Sequence, residues 1–97
     1  MLKLGNLSLD VPFFQAPLSG YSDRAMRVLA CKYGAPLTYT GVMLDKIALY
    51  RKAFDSLYVR PGEDEGPVGA QILGSDPETM AVAAESFANI GFDLIDL

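Results

Sequence analysis

Hydrophobic and polar residues alternate at the start of the chain, and the period of the pattern changes several times afterwards. Residues 2–9 read Leu-Lys-Leu-Gly-Asn-Leu-Ser-Leu, so apolar side chains fall at alternate positions on both sides of Gly5-Asn6. A period of two is typical of a strand, and Gly-Asn tolerates the positive φ of a tight turn. The segment is therefore predicted to be a β-hairpin.

Four short apolar runs follow the hairpin, and Gly, Pro or Asp residues bound each of them. Their lengths and their content of β-branched and aromatic residues are those of strands. Pro17-Leu18-Ser19-Gly20 ends the first run. We predict that the runs form adjacent parallel strands at residues 13–16, 38–42, 68–73 and 93–97.

The stretch after the first run has the period of a helix. Its apolar stripe, at i, i+3, i+4 and i+7, consists of Met26, Leu29, Ala30 and Tyr33. Ser22 is the expected N-cap, with Asp23 placing negative charge in the first turn. Gly34 follows where a left-handed residue is expected to end the helix.

Two more helices are predicted between the later runs. Residues 44–58 form the first of them. The second begins with Asp76 as the cap and Pro77 at the first helical position, or alternatively with a capping box of Ser75 and Glu78. Its predicted buried stripe and terminal glycine are Met80, Ala83, Ala84, Phe87, Ala88 and Gly91.

Strands that alternate with helices predict parallel βαβ units. The pattern fits a doubly wound sheet and a (β/α)₈ barrel about equally, and the hairpin favours the barrel because the bottom of a barrel needs a plug. A whole barrel takes about 250 residues, whereas this chain has 97. The last run would be a parallel strand that needs cover on both faces. We therefore expect residues 1–97 to be the N-terminal portion of one barrel domain, with about four βα units.

Composition narrows the classes of function. The hydrophobic fraction of 51% and the charged fraction of 21% are those of a globular domain, and the net charge of −4 offers no basic surface for nucleic acid. No apolar run approaches the roughly 20 residues of a membrane span. The absence of histidine excludes histidine acid–base catalysis and histidine metal ligands in this segment. We expect a cytoplasmic protein with no metal and no membrane contact, and we interpret the single cysteine, Cys31, as a packing residue.

Three segments carry a resemblance to one enzyme family. Residues 16–24 (APLSGYSDR), 70–77 (AQILGSDP) and 91–97 (GFDLIDL) resemble, in order, the A-P-M-x-G-x-T-D-x, Q-[IL]-x-G-S-D-P and G-[AF]-D-x-I-D-[IL] segments of tRNA-dihydrouridine synthases. In that family the last segment leads into N-x-G-C-P, which carries the catalytic cysteine. That cysteine is therefore expected just beyond Leu97, and no catalytic residue is expected in residues 1–97, which alone would be inactive.

The resemblance implies an FMN-dependent oxidoreductase. The resemblance implies that the full-length enzyme reduces uridine in tRNA to 5,6-dihydrouridine, with NADPH as the reductant and with RNA contacts largely in a C-terminal helical domain. At the carboxyl ends of the strands, where barrel active sites lie, the implied FMN-binding residues are Pro17, Leu18, Ser19 and Gln71.

Two departures from the family pattern stand at the predicted strand ends. Leu18 replaces a methionine, a volume-conserving change, and Gly41 lies where the family commonly has glutamate, so any role of that glutamate is in doubt. From the residues alone, the turn around Leu18 is also compatible with an ordinary strand-to-helix connection, and Gln71 with a glutamine satisfied by backbone groups or facing out of the barrel. Asp23 and Arg24 are interpreted as helix-start charges.

Two other functions stay open from the sequence. One is a related FMN-dependent barrel with a small substrate, such as a dihydroorotate dehydrogenase. The other is a non-catalytic α/β binding module. The oligomeric state is not predicted.

Overall fold

The structure, a computed structural model, describes residues 1–50, 52 and 60–97 as a small α/β arrangement with two sheets and two α-helices. The two-stranded sheet is antiparallel, and the three-stranded sheet is parallel with the order β3-β4-β5. The strands are β1 (Leu2–Leu4), β2 (Leu7–Leu9), β3 (Thr38–Leu44), β4 (Val68–Leu73) and β5 (Leu94–Asp96). The helices are α1 (Arg24–Lys32), a 3₁₀ helix (Asp45–Leu49) and α2 (Pro77–Asn89).

The predicted hairpin is confirmed. Leu2 pairs with Leu9 and Leu4 with Leu7, and Gly5 has the positive φ of 57° that the tight turn requires. Leu9 is buried against Leu37 and Tyr39 at the start of β3. The hairpin therefore packs on one face of the parallel sheet, which is called the hairpin face below.

Helix α2 covers the opposite face. Val68, Ala70 and Ile72 alternate along β4 and are buried in one cluster with Phe87 of α2. Because side chains alternate along a strand, Gly69 and Gln71 belong to the hairpin face. The side chain of Tyr39 lies over Gly69, where an added Cβ would come within 2.6 Å of the ring.

The predicted start and end of α2 are confirmed. Asp76 is the N-cap, and its carboxylate accepts hydrogen bonds from the N–H and the hydroxyl of Thr79, both at 2.8 Å. Pro77 occupies the first position, and Gly91 follows the helix with a φ of 111°. The cap is thus the aspartate and not the serine of the alternative box. Of the predicted stripe, Ala88 alone is exposed.

The first of the four predicted parallel strands, residues 13–16, is not formed, so four βα units are not observed. Gln15 N–H donates to Leu37 O at 3.1 Å, as in a parallel ladder, but Tyr39 N–H donates to the side-chain Oε1 of Gln15 at 3.2 Å. Pro17 has no N–H for the next step of the ladder. The segment therefore lies beside β3 without completing a strand.

The N-cap of α1 is one residue later than predicted. Asp23 accepts from Met26 N–H at 2.9 Å, whereas Ser22 is buried and its hydroxyl accepts from Leu18 N–H at 2.5 Å. The hydroxyl of Ser22 is engaged by the preceding turn, and the free carboxylate of Asp23 takes the helix N–H. Gly34, with a φ of 101°, ends the helix region as predicted.

The apolar stripe predicted for α1 is half right, since Met26 and Ala30 are half-buried but Leu29 and Tyr33 are exposed. Leu29 and Tyr33 are 54% and 83% exposed, while Arg27 is buried. The Arg27 guanidinium forms a bidentate ion pair with Glu65, with Nε–Oε1 at 2.6 Å and Nη2–Oε2 at 3.1 Å, and its Nη1 donates to Ser22 O at 3.1 Å. Both side chains are almost fully shielded from solvent, at 2% and 0% exposure. The ion pair between Arg27 and Glu65 therefore determines which face of α1 is buried.

The remaining boundaries differ in detail. Of the predicted helix at residues 44–58, the described part contains the 3₁₀ helix, while residues 51 and 53–59 lie outside the described residues. β3 extends two residues beyond its predicted end, and β5 is shorter than predicted.

Replacing Arg27 with methionine should lower the free energy of unfolding of the full-length protein by about 3–5 kcal/mol, because it leaves the Glu65 carboxylate buried without its partner. The double change Arg27→Met with Glu65→Leu removes both charges, so it should cost less than Arg27→Met alone. Denaturant titration measures both variants.

Arg24→Met is the matched control. Arg24 pairs with Asp64 between the same helix and the same loop, but these side chains are 55% and 61% exposed. Exposed pairs contribute little to stability, so the unfolding midpoint should barely change. An equal loss for Arg24→Met and Arg27→Met would contradict the role assigned to burial.

The Asp76 cap predicts a dependence of stability on pH. Hydrogen bonds from the backbone N–H and the hydroxyl of Thr79 lower the pKa of Asp76 below its ordinary value of 3.8. The contribution of the cap is therefore present above the unfolded-state pKa and is lost as the pH falls through the folded-state pKa. Asp76→Asn keeps an acceptor oxygen but does not titrate, so the advantage of the wild type should shrink as the pH falls from neutral through 3.8 and below. Melting curves that differ by the same amount across this range would contradict it.

Candidate functional site

Residues 16–20, called the 16–20 loop, are closed into a compact turn. Tyr21 N–H and Ser22 N–H both donate to Leu18 O at 2.9 Å, and Gly20 supplies the positive φ of 79° that the turn needs. The Ser22 hydroxyl accepts from Leu18 N–H at 2.5 Å and donates to Leu18 O at 3.1 Å, with Ala16 O 3.4 Å away. The loop is thus held at its middle residue by one buried serine.

The loop presents one apolar side chain and two backbone donors. Leu18 is 44% exposed and Pro17 is half-buried. Among the described residues, the N–H groups of Ser19 and Gly20 donate to no acceptor. The surface of the loop therefore suits a flat, partly apolar ligand that carries acceptor atoms at its edge.

A bulge in β3 receives the 16–20 loop. The pairing between β3 and β4 shifts between Tyr39 and Val42, which leaves Gly41 in the irregular step. A Cβ at Gly41 would lie 3.1 Å from Ser19 Cα and 3.2 Å from Leu18 O. The loop backbone thus fills the space that a side chain at this position needs, and the glutamate of the family pattern does not fit here without a shift.

Gln71 and Asp96 lie side by side in β4 and β5. They are register partners in this parallel pair, and Gln71 Nε2 donates to Asp96 Oδ2 at 2.8 Å. Both side chains are half-buried. The amide keeps its Oε1 and one N–H for another partner. Gln71 is therefore a satisfied glutamine that still offers one acceptor and one donor.

The charge of Asp96 also acts on the hairpin face. Burial raises the pKa of Tyr39, and the negative charge of Asp96 raises it further. The ring of Tyr39 packs against Phe14 with centroids 5.5 Å apart. Tyr39 is thus held as a neutral phenol beneath the strand ends.

A cavity of about 430 Å³ lies where β3 and β4 end and α2 begins. Its lining includes Asp45, Lys46 and Asp76, and an added Cβ at Gly74 would clash with the Asp45 carboxylate. At this helix start, the Asp76 carboxylate already accepts the N–H of Thr79. Segment 74–77 therefore acts as a cap, in agreement with the sequence interpretation.

The described residues contain no group of three or more His, Cys, Asp or Glu side chains that could hold a metal ion. None of the helices in the described part of the chain is long and apolar enough to cross a membrane.

The predicted site residues lie in a loop against β3 and in the carboxyl-terminal half of β4. Pro17, Leu18 and Ser19 belong to the 16–20 loop, which rests on β3, and Gln71 follows on β4. Sequence reasoning missed Asp96. Its signal was a polar residue two positions after Leu94, on the same face of a short strand.

Comparisons with known proteins agree on one family. A family model described as dihydrouridine synthase (Dus) matches residues 14–97. The chain is 36% identical to tRNA-dihydrouridine synthase B of Vibrio cholerae over 97 residues, which is 99% of this chain and 30% of the relative. It is 30% identical over 98 residues to the same-named protein of Pseudomonas aeruginosa, covering 100% of this chain and 29% of the relative.

A probable tRNA-dihydrouridine synthase of Treponema pallidum is 36% identical over 85 residues, covering 87% of this chain and 25% of the relative. The chain thus spans less than a third of the length of these curated relatives. No solved structure gives a significant match.

Gly41→Ala tests the close approach of the 16–20 loop. The added methyl group must push the backbone at Ser19 by a few tenths of an ångström, so we expect the full-length protein to lose about 1–3 kcal/mol of stability. Hydrogen exchange at the Tyr21 and Ser22 amides, which donate to Leu18 O, should also accelerate. Gly66→Ala is the control, because the nearest atom to its added Cβ is Cys31 Sγ at 4.0 Å. Equal melting temperatures for the two variants would contradict the packing role of Gly41.

Proposed function

This chain belongs to the dihydrouridine synthase family, and we propose that the full-length protein is an FMN-dependent oxidoreductase that reduces uridine in tRNA to 5,6-dihydrouridine. The observation that carries the proposal is the family match over residues 14–97. Within this range, the 16–20 loop rests on Gly41 of β3, and Gln71 lies in the adjacent strand β4, which supports a common site.

We propose that residues 1–97 are the N-terminal portion of a (β/α)₈ (TIM) barrel domain. Three parallel strands in consecutive order, with α2 on one face and a hairpin on the other, support this architecture. A barrel places ligands at the carboxyl ends of its strands. Gln71 lies in the carboxyl-terminal half of β4, towards that edge, and the 16–20 loop rests on the middle of β3.

The residues at this edge fit the ring of FMN. Pro17 and Leu18 supply apolar surface, and the N–H groups of Ser19 and Gly20 supply donors. The remaining acceptor and donor of Gln71 suit the pyrimidine-like edge of the ring, whose N–H lies between two carbonyl groups. FMN, when bound, would supply hydride chemistry, with NADPH as the proposed reductant. We assign to this segment the binding and orientation of the ring and no catalytic acid.

The proposed substrate, tRNA, follows from the names of the relatives, which are tRNA-dihydrouridine synthases. We propose a cytoplasmic location on the same basis. The match to this family favours the proposed reaction over a flavin-dependent barrel that acts on a small substrate, such as a dihydroorotate dehydrogenase.

The direct test incubates the full-length protein with FMN, NADPH and tRNA transcribed without modifications. Digestion of the tRNA and mass spectrometry should reveal dihydrouridine, with the mass of uridine plus two hydrogens. A flavoprotein that leaves tRNA unchanged but oxidises dihydroorotate would overturn the tRNA assignment, and a full-length protein that does not bind FMN would overturn the proposal as a whole.

Gln71→Leu should weaken the binding of FMN to the full-length protein. The change keeps the approximate volume and removes the hydrogen-bonding groups, so a flavin edge left unpaired should cost about 1–3 kcal/mol. That corresponds to a roughly ten- to hundredfold loss of affinity, measured by flavin fluorescence titration.

Ser75→Ala, four residues after Gln71 in the turn that follows β4, is the control, and its FMN affinity should equal that of the wild type. Melting of the apo proteins completes the comparison. Unchanged FMN affinity in Gln71→Leu, together with a lower apo melting temperature, would assign Gln71 to structure.

A further inference from the structure

Asp96 is the last residue of β5, and its carboxylate is bound to the residue that we assign to FMN. Gln71 Nε2 donates to Asp96 Oδ2 at 2.8 Å, and the two residues are direct register partners. The backbone of Gln71 is held from both sides, since β4 pairs with β3 and with β5. Only the side-chain torsions of Gln71 therefore still need to be fixed.

A glutamine amide has an oxygen end and a nitrogen end of nearly the same shape, and it offers opposite hydrogen-bonding groups when it turns over. A carboxylate accepts hydrogen bonds and donates none. Asp96 therefore stabilises the orientation in which the Gln71 nitrogen faces β5. In that orientation, Oε1 and one N–H are directed to partners other than Asp96.

We propose that Asp96 is a positioning residue that fixes the amide orientation of Gln71 for the N–H and carbonyl groups at the pyrimidine-like edge of the flavin. This inference rests on the proposed function. The side chain of Asp96 acts through Gln71 and has no assigned contact with the ring. Its hydrogen bond is charge-assisted, which makes it stronger than a bond between two neutral groups.

The orientation has a calculable effect on binding. An amide that spends only a fraction of its time in the competent orientation raises the apparent dissociation constant by the inverse of that fraction. Asparagine at position 96 has the same shape as aspartate, but it bonds to either end of the Gln71 amide. Without a preference between the two orientations, about half of the amides are competent, so Asp96→Asn should weaken FMN binding about twofold and leave the apo melting temperature close to that of the wild type.

A double-mutant cycle in the full-length protein tests the proposal. In the Gln71→Leu background there is no amide to orient, so Asp96→Asn should add no further loss of FMN affinity. The visible absorption bands of bound FMN, which respond to hydrogen bonds at the ring edge, should shift in Asp96→Asn. Asp96→Ser, which removes the carboxylate and leaves a small polar group, is measured in parallel so that the result does not depend on one substitution.

Asp93→Asn is the matched control. Asp93 precedes β5 at the opposite end of the sheet and accepts from Val68 N–H at 2.9 Å, which the asparagine oxygen also does. This variant makes the same change of charge and should leave FMN affinity and absorption unchanged.

The outcomes separate the two hypotheses. Failure of the wild-type protein to bind FMN would overturn the proposed function. Tight FMN binding by the wild type with equal affinity and spectrum in Asp96→Asn and Asp96→Ser would overturn the positioning role alone. A loss on Asp96→Asn of the same size with and without Gln71 would also overturn it, because the effect would not pass through the amide.

Discussion

The buried ion pair between Arg27 and Glu65 is the interaction on which the arrangement around the candidate site depends. Placing two charges away from water is costly, and the cost is offset only when the geometry is good and the remaining polar groups are satisfied. Here the pair is bidentate, Glu65 also accepts from Gly62 N–H at 2.5 Å, and Arg27 also donates to Ser22 O. One guanidinium thereby joins α1, the loop that leads into β4, and the residue that closes the 16–20 loop.

Around the 16–20 loop, side chains make hydrogen bonds that backbone groups make in a regular sheet. The Ser22 hydroxyl binds the N–H and the carbonyl of Leu18. The side-chain oxygen of Gln15, and not its backbone carbonyl, accepts the hydrogen bond from Tyr39 N–H. The loop can then settle onto the bulge at Gly41, where no side chain competes for space. The position of the 16–20 loop therefore depends on a chain of contacts that runs through Ser22 to Arg27 of α1.

The sequence predicts those parts of the fold whose signals are local. The hairpin turn, the Asp76 cap and the run that forms β4 are each encoded by neighbouring residues, and all of them are found. The stripe predicted for α1 is partly wrong because apolar periodicity takes no account of the buried charge of Arg27, whose partner, Glu65, is 38 positions away. The strand at residues 13–16 failed because nothing local shows that the Gln15 side chain takes the place of its carbonyl.

The residues of the candidate site also differ in whether the sequence predicts them. The resemblance points to the 16–20 loop and Gln71, whereas Asp96 emerges only when the register of β4 and β5 is known. Burial raises the pKa of Tyr39, and the charge of Asp96 raises it further, so Asp96 acts on a neighbour of β4 as well as on Gln71. Under the proposed function, this segment would bind and orient the ring.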